Sequence, residues 1–180
     1  MRVIAGKAKG VSLKTPDGLA TRPTADRVKE ALFSIIQFDL PGTAVLDLFG
    51  GTGQLGIEAL SRGAKSVVFV DEREEACRLI RENLKRAKTE SAAKVIRSDY
   101  MAYLRACREK FNIILLDPPY AEVFLENSLK MITEIDILQS GGIIVAERPV
   151  GKELLCEFPG YIRPKDYKYG KTFLTIFRKE

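Results

Sequence analysis

The alternation of apolar runs and helical segments from residue 44 onward is the feature that most constrains the fold of this 180-residue chain. Short apolar runs typical of buried strands cover 44–49, 66–71, 93–97, 111–117 and 143–147. Between them, apolar residues recur at helical spacing over 55–62, 72–88, 100–108 and 122–133. Strands joined by helices of this length predict an α/β fold, with a mostly parallel sheet and right-handed crossovers.

The two ends of the chain depart from this alternation. Short apolar-rich segments at 2–5 and 11–14 predict a small hairpin, and Thr24 is the expected N-cap of a helix that continues to about residue 37. Near the other end, 161–168 and 172–178 flank a turn with no helix between them, which predicts an antiparallel hairpin attached to the sheet. We therefore expect a basic hairpin-and-helix extension at 1–40 and one α/β domain at 41–180.

The residues that are missing exclude several kinds of chemistry. The chain has no histidine, which excludes Ser-His-Asp and Cys-His catalysis and every His-ligated metal site. Cys77, Cys107 and Cys156 are odd in number and widely spaced, unlike a disulfide framework or a zinc site, so we expect no metal. No apolar run is long enough to span a bilayer, and the N-terminus lacks the apolar stretch of a secretory signal. We therefore expect a cytoplasmic protein with no membrane partner.

Basic residues are concentrated at the two ends of the chain. Residues 1–30 contain seven Lys or Arg against three Asp or Glu, and residues 160–180 contain six against two. The net charge of the whole chain is +5. Such asymmetry indicates a polyanionic partner that contacts the termini, although a pair of solvated tails would have the same composition.

A glycine-rich turn follows the first buried strand. Residues 51–56 match G-x-G-x-x-G between a strand and a helix, and Asp71 ends the next strand twenty residues after Gly51. Glycines let the backbone approach a ligand closely, and a carboxylate accepts hydrogen bonds from ribose hydroxyls. The adenosine of either NAD or S-adenosylmethionine fits this pattern, and a tight turn without a ligand is the alternative.

Two further aspartates bear on the choice of cofactor. Asp47 lies four residues before Gly51, where it would repel the phosphates of NAD and attract the sulfonium and ammonium groups of S-adenosylmethionine. The sequence therefore favours S-adenosylmethionine. Asp99 follows the third strand and is expected either to bind the adenine amino group or to cap the next helix.

The segment Asp117-Pro118-Pro119-Tyr120 ends the fourth strand, at the edge of a parallel sheet where ligands bind. Two prolines fix the direction of the backbone carbonyls and remove two amide donors. The Asp117 carboxylate and the Pro118 carbonyl would hold the hydrogens of an exocyclic amine and favour the positive charge that develops on it, while Tyr120 stacks on the base. A rigid turn whose aspartate caps the next helix is the alternative.

In these motifs the sequence resembles the RsmD family of bacterial 16S rRNA guanine-N2 methyltransferases. The resemblance runs essentially from end to end, through 2–6, Gly10, 13–16, 21–33, 46–49, 56–64, 117–120, 169–170 and Thr172. Gly51 and Thr52 stand where the family usually has Ala and often Ser, and Asp71 stands where it often has Glu. These changes are small, and either carboxylate can bind a ribose.

The resemblance implies a Rossmann-like class I methyltransferase fold, with a seven-stranded, mostly parallel sheet whose last strand is antiparallel. It implies S-adenosylmethionine as cofactor and guanine 966 of 16S rRNA as target, in the small subunit or an assembly intermediate. The implied cofactor-binding residues are Arg22, Thr24, Asp47, Phe49, Gly50, Gly51, Gly53, Asp71, Glu72, Asp99, Tyr100 and Asp117. The implied RNA-binding residues are Arg2, Lys7, Lys9, Lys14, Arg22 and Arg27. The target base would have to be unstacked and turned into the pocket.

Three other functions share some of these features. A DNA adenine-N6 methyltransferase uses the same tetrapeptide, although 180 residues show no target-recognition insertion. A dinucleotide-dependent oxidoreductase uses the same glycine turn. An rRNA-binding assembly factor with a vestigial site would have the same basic ends.

Overall fold

A computed structural model describes residues 1–16, 23–119, 122–151, 154 and 158–180, with the backbone alone at 23–25, 122 and 163. Within this part of the chain, the strands form one seven-stranded sheet of order β3-β2-β1-β4-β5-β7-β6. The strands are β1 (Ala44–Asp47), β2 (Ser66–Asp71), β3 (Ala93–Arg97), β4 (Phe111–Leu116), β5 (Leu138–Pro149), β6 (Tyr161–Tyr169) and β7 (Thr172–Lys179). The first five are parallel, whereas β7 is antiparallel to both β5 and β6. The expected sheet is therefore confirmed.

Helices connect the parallel strands as the apolar spacing predicts. They are α2 (Gln54–Ser61), α3 (Glu74–Ala87), α4 (Tyr100–Ala106) and α5 (Glu122–Ile135), with a short 3₁₀ helix at Glu90–Ala92. The helix α1 (Pro23–Ile35) precedes β1. Across the ranges that the structure describes, no helix is long and apolar enough to cross a membrane.

Each face of the sheet carries its own hydrophobic cluster. On one face, Val45, Ile113 and Val145 pack against α1, α2, α3 and the N-terminal segment, which contributes Val3 and Leu13. On the other face, the alternate strand residues pack against α4 and α5. Burying one such side chain stabilises the fold by roughly 1.5–3 kcal/mol. The N-terminal segment thus shares a core with the sheet, while the boundary at residue 41 stays a prediction.

The structure differs from the sequence predictions mainly at element ends. The strand β5 begins at Leu138 rather than at 143, because its pairing with β4 shifts register between Phe111 and Ile113 and continues past the two glycines. The predicted N-cap at Thr24 is wrong: α1 already begins at Pro23, a residue suited to the first helical position because it lacks an N–H. The N-terminal hairpin is reduced to one antiparallel bridge between Arg2 and Ser12.

Candidate active site at the carboxyl edge of the sheet

The glycine turn after β1 is a tight backbone bend. The Gly53 N–H donates to the Gly50 carbonyl at 2.6 Å, and the Gly50 N–H donates to the Val70 carbonyl of β2 at 2.9 Å. Gly51 and Gly53 have φ angles of 54° and 79°, in the left-handed region that glycine tolerates best. The bend is therefore held against β2 at the carboxyl edge of the sheet, with Gly51 and Thr52 half-buried.

Asp71 lies directly beside this bend. Its Oδ2 accepts a hydrogen bond from the Gly51 N–H at 2.9 Å, so the glycine and the carboxylate that the sequence paired are in contact. Its Oδ1 accepts from the Arg73 N–H at 3.0 Å, and the Arg73 guanidinium reaches both carboxylate oxygens. The Arg73 side chain is 65% exposed, so this ion pair contributes little and ribose hydroxyls can compete with it.

Asp47 is completely enclosed at the end of β1. Its Oδ2 accepts a hydrogen bond from the Gly56 N–H at 3.0 Å, which ties β1 to the first turn of α2. Burial raises the pKa of Asp47 to about 7, and the neighbouring charges of Asp117 and Asp71 act in the same direction. A cation at the bend would offset this cost. The sequence pattern gives no indication of the bond to Gly56.

An aromatic cluster begins at Phe49, directly before the bend, on the face of the sheet that packs against α4 and α5. The Phe49 ring centroid lies 5.3 Å from that of Tyr100 and 6.4 Å from that of Phe124. Asp99, next to Tyr100, accepts a hydrogen bond from the Ala102 N–H at 2.9 Å and so caps α4, which confirms the capping alternative. Its contact with an adenine stays a prediction. The flat rings of this cluster suit a planar base.

Asp117 follows β4 at the centre of the same edge. Burial raises its pKa to about 6. Among the described residues, its carboxylate makes neither a hydrogen bond nor an ion pair. Pro118 is half-buried and Pro119 is exposed beside it, whereas Tyr120 lies outside the described residues. The carboxylate of Asp117 is half-buried, and the cost of its partial desolvation would be offset by a ligand that donates hydrogen bonds.

Glu147 is a second carboxylate of this edge, and it belongs to none of the sequence motifs. On the parallel pair β4 and β5, Leu116 aligns with Ala146, so the next residues of both strands, Asp117 and Glu147, are neighbours. Burial raises the pKa of Glu147 to about 8, and the charge of Asp117 acts in the same direction. The signal was present in the sequence, because Glu147 directly follows the apolar run of a strand, as Asp117 does.

The remaining predicted cofactor residues are less informative. Glu72 is exposed, and its backbone carbonyl accepts from Arg97 at 3.2 Å. Arg22 lies outside the described residues, and only the backbone of Thr24 is described. Cys77 and Cys107 are buried free thiols, while Cys156 lies outside the described residues.

The predicted RNA-binding side chains lie at the surface where they are described. Arg2, Lys7, Lys9, Lys14 and Arg27 are exposed. The Lys14 ammonium pairs with Glu82 at 2.7 Å. The assignment of these residues to RNA stays a prediction.

A set of buried polar residues, which we call the N-terminal clamp, fixes residues 2–14 against the body of the protein. Glu58 accepts hydrogen bonds from the Ile4 and Ala5 N–H groups at 2.8 and 3.0 Å. The other members are Ser61, which bonds Ala5 and Ala8, Asn83, which bonds both backbone groups of Lys14, and Lys29, which donates to the Arg2 carbonyl at 2.6 Å. Sequence reasoning missed this role.

Asn83 also joins the N-terminal clamp to the glycine bend. Its amide nitrogen donates to the Thr52 carbonyl at 2.9 Å as well as to the Lys14 carbonyl at 3.0 Å. The segment that carries the predicted RNA-binding residues is thereby connected to the bend through one buried side chain.

The residues of the edge fit a cationic adenosine derivative. Asp71 beside the bend can accept hydrogen bonds from ribose hydroxyls, and the aromatic cluster can pack on adenine. The buried carboxylate of Asp47 and the half-buried carboxylate of Asp117 favour a positive charge. The phosphates of a dinucleotide would instead be repelled by these carboxylates.

Within the described ranges, no three Cys, Asp or Glu side chains are arranged to hold a metal ion.

Known proteins resemble the chain over its whole length. A family model described as Conserved hypothetical protein 95 matches residues 1–178. The chain is 41% identical over 182 residues to the "Putative rRNA methyltransferase YlbH" of Bacillus subtilis, covering 99% of both proteins. It is 33% identical over 158 residues to the Ribosomal RNA small subunit methyltransferase D of Haemophilus influenzae, covering 86% of this chain and 82% of that relative. The solved structure titled "Putative methyltransferase yhhF from Escherichia coli" matches with a TM-score of 0.88 at 26% identity, covering 100% of this chain and 98% of that chain.

Proposed function

Because this chain belongs to the RsmD family of S-adenosylmethionine-dependent methyltransferases, we propose that it methylates the exocyclic N2 amino group of a guanine in 16S rRNA. The target we propose is guanine 966 in the usual numbering, in the small subunit or an assembly intermediate. The expected class I methyltransferase fold is confirmed by the structural likeness. A cytoplasmic location is part of the proposal.

One observation carries this proposal: the glycine bend, with the Asp71 carboxylate beside it, lies one strand away from Asp117. The carboxylate of Asp117 is half-buried and has no partner among the described residues. The bend follows β1, and Asp117 follows the neighbouring strand β4. A cofactor at the bend and an amine at Asp117 would therefore be side by side. Proximity and alignment of two reactants are the main requirement of a direct displacement.

The residues that would hold the cofactor lie along the first three strands. Asp71 would accept the ribose hydroxyls, Phe49 and Tyr100 would contact the adenine, and Asp47 would face the cationic end. When bound, S-adenosylmethionine supplies a methyl group whose former bonding electrons stay on the sulfur. Arg22 and Thr24 remain proposed contacts to its methionine part.

Asp117 would prepare the amine for this transfer. The lone pair of an exocyclic amine is delocalised into the base, so the nitrogen is a weak nucleophile. Acceptors at Asp117 and at the Pro118 carbonyl would hold its two hydrogens, aim the nitrogen, and stabilise the positive charge that develops on it. The surplus proton would pass to the Asp117 carboxylate or to water. Tyr120 would stack on the base.

The experiment is methyl transfer from labelled cofactor to small subunits and to naked 16S rRNA that lack the modification, followed by identification of the product nucleoside. We expect N2-methylguanosine. We expect Asp117→Ala to lower the rate by about 10²–10³-fold with RNA binding kept, because an acceptor used in the transition state is lost. Glu134→Ala, at an exposed carboxylate of α5, is the matched control.

Two results would overturn the proposal. Methylation of DNA adenine with no product in rRNA would favour the DNA adenine-N6 alternative. An Asp117→Ala variant as active as the wild type would remove the proposed role of that carboxylate.

A further inference from the structure

Glu147 lies where a base held by Asp117 would extend. Along the carboxyl edge, the strand order places Asp71 at β2, the glycine bend at β1, Asp117 after β4 and Glu147 on β5. Neighbouring strands are about 4.8 Å apart, so the distance from the bend on β1 grows by about that amount to β4 and again to β5. If the cofactor lies over β1 and β2, the reacting amine at Asp117 therefore lies between the cofactor and Glu147.

The carboxylates of Glu147 and Asp117 belong to the same face of the sheet. Leu115 and Val145 align on the parallel pair β4 and β5, and both lie in the cluster that contains the N-terminal segment. Side chains two residues along a strand return to the same face, which assigns Asp117 and Glu147 to that face as well. On β7, Leu174 aligns with Glu147 and lies in the same cluster. Two carboxylates are thus presented side by side.

Nothing in the described part of the chain satisfies Glu147. Its carboxylate makes no hydrogen bond and no ion pair there, although it is half-buried. A half-buried carboxylate is only partly hydrated, so a ligand that donates to it would replace the lost hydration. Its position next to Asp117 indicates a donor that adjoins the reacting amine. On guanine, that donor is the N1–H, which lies beside the 2-amino group on the Watson–Crick edge.

We propose that Glu147 selects guanine, its carboxylate accepting the N1–H of the base while Asp117 accepts from the 2-amino group. This rests on the proposed function. A hydrogen bond from the N1–H stabilises the ionised form of Glu147, which has acceptors alone and so matches a base that presents adjacent donors. Adenine presents an N1 lone pair at the corresponding position, which the carboxylate repels. The pair of carboxylates therefore combines recognition of guanine with rejection of adenine.

The test compares RNA substrates that carry guanine or 2-aminopurine at the target position. 2-Aminopurine keeps the amino group but has a lone pair at N1 in place of the N1–H. We expect the wild type to prefer guanine strongly. In Glu147→Gln, the side-chain amide can donate to the N1 lone pair, so the ratio of guanine to 2-aminopurine methylation should fall by roughly 10- to 100-fold. Glu134→Gln, at an exposed carboxylate, should keep the wild-type ratio.

A second readout does not depend on turnover. 2-Aminopurine fluoresces more strongly when it leaves the base stack, so its signal reports entry into the pocket with the demethylated cofactor bound. We expect a stronger fluorescence rise with Glu147→Gln than with the wild type. Cofactor affinity, measured by calorimetry, should be the same in both proteins and also shows that the variant is folded.

Each outcome separates the two proposals. If the wild type forms no N2-methylguanosine, the proposed function fails. If it forms that product but Glu147→Gln keeps the same preference for guanine, the assignment of Glu147 alone fails. A variant that loses cofactor affinity with an unchanged base preference would also overturn the assignment, because Glu147 would then face the cofactor.

Discussion

The N-terminal clamp and the carboxyl edge both bury charged side chains, but they differ in what satisfies them. In the clamp, Glu58 accepts two backbone N–H groups and pairs with Lys29 and Arg62 at 3.7 and 2.8 Å. At the edge, Asp117 and Glu147 have no hydrogen-bonding partner among the described residues, and burial raises the pKa of both.

This difference teaches how a buried charge should be interpreted. A charge whose partners are all supplied by the chain stabilises one arrangement of the backbone and needs no ligand. A charge without partners costs stability in the free protein, so its position is explained by a ligand that completes it. Burial alone does not distinguish the two cases. They are distinguished by whether the protein itself supplies hydrogen-bonding or ionic partners for the charge.

The largest effect should come from breaking the clamp. Glu58→Ala leaves the Lys29 ammonium buried without its carboxylate and two N–H groups without an acceptor. We expect the free energy of unfolding to fall by about 3–5 kcal/mol, as for other buried ion pairs that lose one member. Urea denaturation measures this loss.

Glu134→Ala, at an exposed site on α5, is the control for that experiment and should change stability by less than about 0.5 kcal/mol. If Glu58→Ala cost no more than this control, the clamp would not differ from polar groups at the protein surface and the contrast with the edge would disappear.

The clamp also shows where sequence reasoning about the fold ends. Periodicity predicted β2 and β3 at the bounds that the structure has, because each is a short apolar run between helices. The helical spacing also predicts that Asn83 lies on the buried side of α3. It does not predict the hydrogen-bond partners of Asn83, which are Lys14 and Thr52, 69 and 31 residues away in the chain. Local spacing carries no information on such long-range bonds.

The candidate site was predictable to the extent that its residues follow strands. Gly51, Asp71 and Asp117 each end or follow a buried strand, and parallel strands bring those positions to one edge. The sequence leaves two roles open for Asp99, and its carboxylate caps α4 in the structure. Glu147 was overlooked because no motif includes it; its importance depends on the register of β5 against β4.

A smaller effect should distinguish the carboxyl edge from the N-terminal clamp: the pH dependence of the free energy of unfolding, to which Asp47 contributes. The pKa of Asp47 is about 7 in the folded protein, compared with 3.8 for an unperturbed carboxyl. Between these values the folded state keeps a proton that the unfolded state has lost, so the free energy of unfolding falls as the pH rises from about 4 to about 7. Asp47→Asn should remove up to ~1.4 kcal/mol per pH unit from this slope.

Urea denaturation of the cofactor-free protein at several pH values measures this slope. The amide oxygen of the substituted side chain would still be able to accept the Gly56 N–H, so folding should be preserved. Glu134→Gln should keep the slope of the wild type. An Asp47→Asn variant with an unchanged slope would show that the buried carboxylate is already satisfied, as in the clamp.

The smallest effect concerns the outer side of the clamp, where Lys7 and Lys9 are exposed. The backbone beneath them is fixed, because the Lys7 N–H donates to the Ser61 carbonyl at 2.7 Å and the Ala8 N–H donates to the Ser61 hydroxyl at 2.9 Å. If these ammonium groups contact rRNA phosphates, Lys7→Ala and Lys9→Ala should each reduce the slope of log affinity against log salt by about 0.7–0.9. Titration of labelled rRNA at several salt concentrations measures that slope, and unfolding should be unchanged. An unaltered slope would leave the clamp as a purely structural device, with its lysines in solvent and RNA contacts elsewhere.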